Sequence, residues 1–334
     1  MFRKFNIKQI LIAFAILLAL VLVIFITQPT YHSRSKALKE NLFEGDTSQI
    51  TKLSIYKKGD MDNYVSLVKI DGKWMVKSAD AYYVANENQI KGILQTLAGL
   101  NPKRIAATTK DKWKEYQVTD SLSTRIIAET NKKVVCDLHI GKFSYQQPKN
   151  PSPYNYQQRG TMLSYVRLDK DKPVYAVEGF LSMMFNKSAR DFRSATVLKS
   201  DYTNWTSINF KYPENNSFDL TNQNGKWLLN GIMADSTKVT NYLKTLSNLS
   251  SNGFVDDQKP LSDLAAYTLK IDGNNFTNSI LINAFPATDT TYGEFITSTQ
   301  NKGVYFSGKN AGLFNKIFKP KESFFPSEEM AIGK

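Results

Sequence analysis

The sequence predicts an α+β protein in which an N-terminal transmembrane helix precedes two repeated modules of antiparallel sheet with packed helices. Three observations predict it. Ile10 to Thr27 form an eighteen-residue apolar run with no charged residue. At about 1.5 Å per residue, that length matches one bilayer hydrocarbon core. Asp71-Gly72-Lys73-Trp74 is echoed by Asn224-Gly225-Lys226-Trp227, and a helical pattern follows each tetrapeptide. Upstream of each, apolar residues alternate with polar ones, as in sheets with one buried and one wet face.

The apolar run reads as a retained anchor. Arg3, Lys4 and Lys8 precede it, which is also how a cleaved signal begins. The run exceeds a usual signal core, however, and its end, Val23-Ile24-Phe25-Ile26-Thr27, has no small-x-small pair. The sole cysteine, Cys136, rules out a lipobox. Arg34, Lys36 and Lys39 follow the run closely, so the flanking charges nearly balance. The bulk of the chain is a domain of the kind that translocates largely regardless of charge. The expectation is a bacterial inner-membrane protein, single-pass, with a cytoplasmic N-terminus and a periplasmic or otherwise extracytoplasmic bulk. Residues 1–27 are the tail and anchor, and residues 28–48 a juxtamembrane linker.

The remainder divides into modules at 49–198 and 199–334. In each, an Asn/Asp-Gly turn joins two strands, the second bearing the tryptophan. Next come apolar positions with identical spacing: Ile90, Ile93, Leu94, Leu97 and Leu100 in the first module, and Val239, Tyr242, Leu243, Leu246 and Leu249 in the second. That spacing marks one face of an α-helix. Asn86 and Asp235 stand where an N-cap is needed. Leu53 and Ile55, and later Ile208, Phe210 and Tyr212, alternate with polar residues as strands do. Further echoes pair Lys172-Pro173-Val174-Tyr175 with Lys302-Gly303-Val304-Tyr305, and Met184-Phe185-Asn186-Lys187 with Leu313-Phe314-Asn315-Lys316.

Apolar residues make up 42% of the chain and aromatics 12%, enough for one large core or two smaller ones. One cysteine allows no internal disulfide and leaves the compartment undecided. The net charge is +13, but the lysines are dispersed along the chain. A solvated basic surface beside a membrane explains this better than nucleic-acid binding does.

Candidate chemistry is sparse. Cys136-Asp137-Leu138-His139 lies in a predicted strand, which places Val134, Cys136, Leu138 and Ile140 on one face and Asp137 and His139 on the other. Cysteine and histidine then point apart and cannot share an ion, and Cys136 reads as a small buried hydrophobe. The only other histidine is His32 in the linker, so any Ser-His-Asp set must rest on His139. No serine sits in a Gly-x-Ser-x-Gly context, and no Gly-rich phosphate loop occurs. Asp60 with Asp62, and Asp256 with Asp257, lie in predicted turns and loops that account for them as solvated acids. No catalytic, cofactor-binding or metal-binding residue is expected.

Phe143 to Gly160 holds three prolines and three tyrosines, the mark of a long stiffened loop between two strands. Tyr145, Tyr154, Tyr156 and Arg159 are the candidate partner-binding residues, being types that anchor interfaces or stack on sugars. A decorated hairpin loop covering the sheet edge accounts for them equally well. Arg190-Asp191-Phe192-Arg193 closes the first module, where a charged, aromatic-bearing turn would fix the relative orientation of the two modules through an Arg–Asp pair.

The anchor, the paired Gly-Lys-Trp hairpins with their Leu-rich helices, and Arg190-Asp191-Phe192-Arg193 together resemble a family of single-pass proteins. That family is a domain of unknown function encoded beside gliding-motility-type (Gld-like) ABC transporters. Tyr116-Gln117-Val118 departs from it, standing where such proteins often show Tyr-Gly-Leu. The resemblance implies an accessory of an ABC-type complex, partnered by its permease and ATPase, and it supplies no catalytic residues. The expected function is a non-enzymatic membrane-anchored scaffold. An envelope glycan-binding module is the alternative, and a carboxylate hydrolase the third.

Overall fold

The computed structural model describes residues 38–147, 160–287 and 290–326, together with Leu17. Apart from Leu17, the expected span Ile10–Thr27 lies outside the described residues, among which no helix is long and apolar enough to cross a membrane. Tyr154, Tyr156 and Arg159 also lie outside them.

The described chain is mixed α/β and mostly antiparallel sheet. The first copy of the repeat runs β1 (Lys52–Lys57), β2 (Asp60–Ile70), β3 (Lys73–Ser78) and β4 (Ala81–Val84), then helix α1 (Glu87–Ala98). It continues through β5 (Pro102–Ala107), β6 (Thr124–Glu129), β7 (Val134–Gln146), β8 (Thr161–Leu168) and β9 (Val174–Glu178) to helix α2 (Leu181–Phe185). After β10 (Thr196–Lys199), the second copy runs β11 (Trp205–Lys211), β12 (Phe218–Gln223), β13 (Lys226–Leu229) and β14 (Ile232–Met233), then α3 (Ser236–Ser247). It ends with β15 (Asn248–Ser250), β16 (Phe254–Val255), β17 (Tyr267–Gly273), β18 (Ile280–Phe285), β19 (Phe295–Ser298), β20 (Asn301–Ser307) and α4 (Leu313–Ile317).

The duplication read from short echoes extends to the whole topology. One nine-stranded sheet has the order β4-β3-β2-β1-β6-β7-β8-β9-β5, and the other β14-β13-β12-β11-β17-β18-β19-β20-β16. Position for position the two plans coincide. In both, a strand that follows the main helix, β5 directly and β16 after β15, joins the far edge, where Pro102 pairs with Val177 and Phe254 with Phe306. Strands β10 and β15 form a separate antiparallel pair.

Local chemistry explains the shared elements. Asp71 and Gly72 have φ of +48° and +78°, and Asn224 and Gly225 of +54° and +83°. Two left-handed residues in a row make the tight turn whose twist suits antiparallel strands. Ile90, Ile93 and Leu97 of α1 are buried, as are Val239, Tyr242, Leu243 and Leu246 of α3. Asp235 Oδ1 accepts from Thr237 N and Lys238 N at 2.9 Å, and Asn86 Oδ1 from Gln89 N at 3.2 Å, so both expected caps form. Leu249 reads as a helical position but belongs to β15, because Asn248 turns to φ −141° and ends the helix.

Contacts group the chain into two compact units. The first comprises Ile55–Tyr64 and Leu94–Asn186 with the chain up to Ile50. The second comprises Thr51–Ser54, Val65–Ile93 and Lys187–Lys334. In the first, the sixteen residues 108–123 between β5 and β6 lie over strands β7 to β9. Trp113, Tyr116 and Val118 pack there on Leu163, Tyr165, Val174 and Ala176. A register shift in β7 between Ile140 and Phe143 brings Gly141 against that segment, and Lys142 N donates to Tyr116 O at 3.0 Å.

Gln117 adopts φ +57° in the same segment. The position where the resemblance expects glycine is therefore left-handed, and glutamine holds it at a cost of about 1–2 kcal/mol. The full chain in mild detergent is expected to gain about 0.5 kcal/mol from Gln117→Gly, after allowing for glycine's extra unfolded freedom. A Cβ on Gly141 would lie 2.0 Å from Tyr116 O. Gly141→Ala should accordingly lose about 3 kcal/mol. Urea unfolding of the two variants checks both values.

Candidate functional site

Three consecutive strands of the first sheet each place one cationic or imidazole side chain in a single row. In the strand register Arg125 faces His139, and His139 faces Arg167. His139 and Arg167 are buried, with relative exposures of 0% and 1%. Burying such groups is costly unless each is paired. Three aspartates supply the pairing.

Arg125 binds Asp137 through two parallel bonds, Nε to Oδ1 at 2.8 Å and Nη2 to Oδ2 at 2.7 Å. Its Nη2 also lies 3.7 Å from Asp169 Oδ1. Arg167 donates from Nε to Val118 O at 3.1 Å and from Nη1 to Asp169 O at 2.7 Å. The Arg167 guanidinium lies 3.9 Å from the Trp113 ring centroid, and its Nη2 lies 3.6 Å from Asp120 Oδ1. The segment 108–123 is thus held down by one buried arginine that reads its backbone, its indole and its carboxylate.

His139 Nε2 lies 3.0 Å from Asp169 Oδ1, and Nδ1 lies 2.9 Å from Ser123 Oγ. An ionised carboxylate can only accept, so Nε2 carries the proton and Nδ1 accepts from the serine hydroxyl. Serine, histidine and aspartate are therefore brought together at His139, the one residue on which such a set could rest. Ser123 is 0% exposed, however, and its hydroxyl is occupied by the ring. A nucleophile must reach a substrate carbon, and this oxygen is sealed beneath the segment that carries it.

Asp120, His139 and Asp169 also offer three potential ligand atoms within 4.8 Å of one another. Arg167 and Arg125 stand 3.6 and 3.7 Å from these same two carboxylates and already counter their charge. The cluster is a balanced ionic row. Cys136 lies on the opposite face of β7 from His139, as the alternation requires, and burial pushes its thiol up to about 12.

Sequence reading isolated His139 and missed Ser123, Asp120 and Asp169. A signal existed: Arg125, His139 and Arg167 each stand directly beside an apolar residue, Ile126, Leu138 and Val166, within a strand. The corresponding strands of the second sheet carry an uncharged row, in which Thr268 faces Asn283 and Asn283 faces Thr297.

The other candidates resolve differently. Tyr145 is exposed on β7, and its hydroxyl accepts from Gly160 N at 3.2 Å. Gln146 pairs with Thr161, so the tyrosine-rich stretch connects two hairpin strands. The structure does not bring Tyr145 to the ionic row. In the second unit, Asp191 binds Ser188, through N at 2.7 Å and Oγ at 2.6 Å. Both arginines of the tetrapeptide pair with one distant aspartate. Arg193 Nη1 reaches Asp256 Oδ1 at 2.6 Å, and Arg190 Nη1 reaches Asp256 Oδ2 at 3.3 Å. Arg193 lies between Tyr83 and Phe254, 3.7 and 4.2 Å from their ring centroids. Asp257 accepts from Tyr292 Oη at 3.2 Å.

A duplicated antiparallel-sheet protein with a partly buried ionic row defines the class. The chain belongs to the family described as Domain of unknown function (DUF4340), whose model matches residues 74–271, more than half of its length. No curated protein and no solved structure matches it significantly.

The row carries a pH dependence. Burial pushes the His139 pKa below its ordinary 6.5, outweighing the opposing hydrogen bond to Asp169. As pH falls through about 6.5 the unfolded chain takes up a proton that the folded chain refuses. The stability His139 contributes is therefore complete above that pH and lost below it. The melting temperature of the full chain should fall between about pH 6.5 and 5. The fall should flatten in His139→Gln, which does not titrate there; thermal melts across that range check it.

Proposed function

We propose that the protein is a non-enzymatic, membrane-anchored accessory or scaffold subunit whose extracytoplasmic bulk serves an ABC-type transporter or a related gliding or envelope complex. The observation that carries this reading is the closure of the Ser123–His139–Asp169 set: the residues most suited to chemistry are spent on holding segment 108–123 in place. A repeated sheet plan offers two broad surfaces of similar design, which suits a scaffold. The apolar run Ile10–Thr27 supports a membrane tether, and confinement of both partners to one bilayer raises the effective concentration of weak contacts.

Affinity purification of the full chain from native membranes in mild detergent should recover a permease and its ATPase in stoichiometric amount. Recovery of the protein without them would overturn the reading. Recovery by a variant lacking residues 49–334 would reassign the contact to the anchor.

A glycan-binding alternative has one observation in its favour, the exposed Tyr145 ring at the base of the tyrosine-rich hairpin. On that alternative Tyr154→Ala and Tyr156→Ala abolish retention on cell-wall material with the melting temperature unchanged. Undiminished retention would end it.

A further inference from the structure

Within the first compact unit, four large apolar side chains stand exposed in one region. Phe143 and Tyr145 project from the same face of β7, two residues apart, and Phe180 and Met183 belong to the turn into α2 and the helix itself. The Phe143 and Phe180 ring centroids are 4.4 Å apart, which makes the region continuous. Met183 is 72% exposed. Scattered exposed apolar residues need no explanation, whereas a contiguous group marks an interaction surface.

Its surroundings are basic. Phe143 and Ser182 line a depression of about 740 Å³ together with Lys57, Lys58 and Lys142, and no carboxylate is among its described lining residues. The Lys142 ammonium lies 5.0 Å from the Tyr116 ring centroid. Exposed aromatics and methionine rimmed by lysines are the composition that lies in a lipid interface, the apolar groups entering the headgroup boundary and the ammonium groups meeting phosphate.

Chain length places a bilayer within reach. Leu42 N donates to Leu100 O at 2.9 Å and Asn41 Nδ2 to Ala98 O at 2.7 Å, which fixes the entering chain on this same unit. Thirteen residues separate Thr27 from Asn41, and the stretch can extend at most about 50 Å. We infer that the Phe143–Met183 surface, with Lys57, Lys58 and Lys142, docks on anionic phospholipid headgroups of the membrane that holds the anchor. The inference rests on the anchor reading for its reach, and on the surface itself for its chemistry.

The test uses the full chain carrying Met183→Cys with a nitroxide label, reconstituted in nanodiscs of one-third phosphatidylglycerol or of phosphatidylcholine alone. Cys136 is buried and stays unlabelled. Collision with membrane-soluble oxygen is compared with collision with an aqueous nickel chelate. Oxygen should dominate in anionic nanodiscs and the chelate in zwitterionic ones. Each lysine reversed in the series K57E, K58E and K142E should lower the docked population about fivefold. A label at Leu264→Cys, 81% exposed in the second unit, reports the aqueous control.

Equal chelate access at residue 183 in both lipid compositions overturns the inference. Shielding from both reagents by a co-purified protein overturns it too, in favour of a protein partner. Failure of the chain to enter nanodiscs counts against the anchor reading instead, and flotation of the same protein with anionic vesicles then decides the surface.

Discussion

The architecture of the first unit depends on burying a row of basic groups without leaving any charge uncompensated. Arg167 is the pivotal member. Its guanidinium is inserted between the sheet and segment 108–123, and every contact it makes there belongs to that segment or to the end of its own strand. A buried cation without partners would cost several kcal/mol, so the segment can close over Arg167 only because it brings the guanidinium's partners with it. Gly141 completes the fit from the other side, since only a residue without Cβ allows Tyr116 O to approach so closely.

The two copies illustrate how one plan is stabilised by two kinds of interior. The second unit relies on aromatic packing: Phe210, Phe218, Tyr242 and Phe324 form a connected group, with Phe210 and Phe218 stacked at 4.2 Å between centroids. Its cationic contribution comes from Arg193, held between two rings and by Asp256. The first unit places its cations on the sheet itself. The strand order is common, so the difference lies in side chains and in the segments that cover them.

Much of the fold was legible because its signals are local. Asp71-Gly72 and Asn224-Gly225 dictate their turns through two residues each, and the helical spacing of Ile90 to Leu97 dictates a buried face whatever covers it. The strand alternation separated Cys136 from His139 correctly for the same reason. What stayed hidden is what distance in sequence hides. Ser123 and Asp120 meet His139 only because segment 108–123 folds back over β7 and β8, Asp169 meets it because β8 pairs with β7, and Asp256 meets Arg193 across more than sixty residues. Nothing in the composition of either stretch specifies its partner. The tetrapeptide Arg190-Asp191-Phe192-Arg193 advertised an Arg–Asp pair without naming its partner for that reason, since Asp256 stands far along the chain.

The far-edge strand of each sheet sets an order on synthesis. Strand β5 leaves the ribosome before β6 to β9, yet its partner is β9, and β16 likewise precedes β20. Each copy therefore emerges with an edge whose backbone donors and acceptors must wait for the last strand of its own repeat. Until then that strand is a ready template for any other unpaired edge. Because β9 is made before β16 exists, a chain carrying the same plan twice can close its first edge before its twin's is exposed, and synthesis in sequence is what keeps the two halves from exchanging strands.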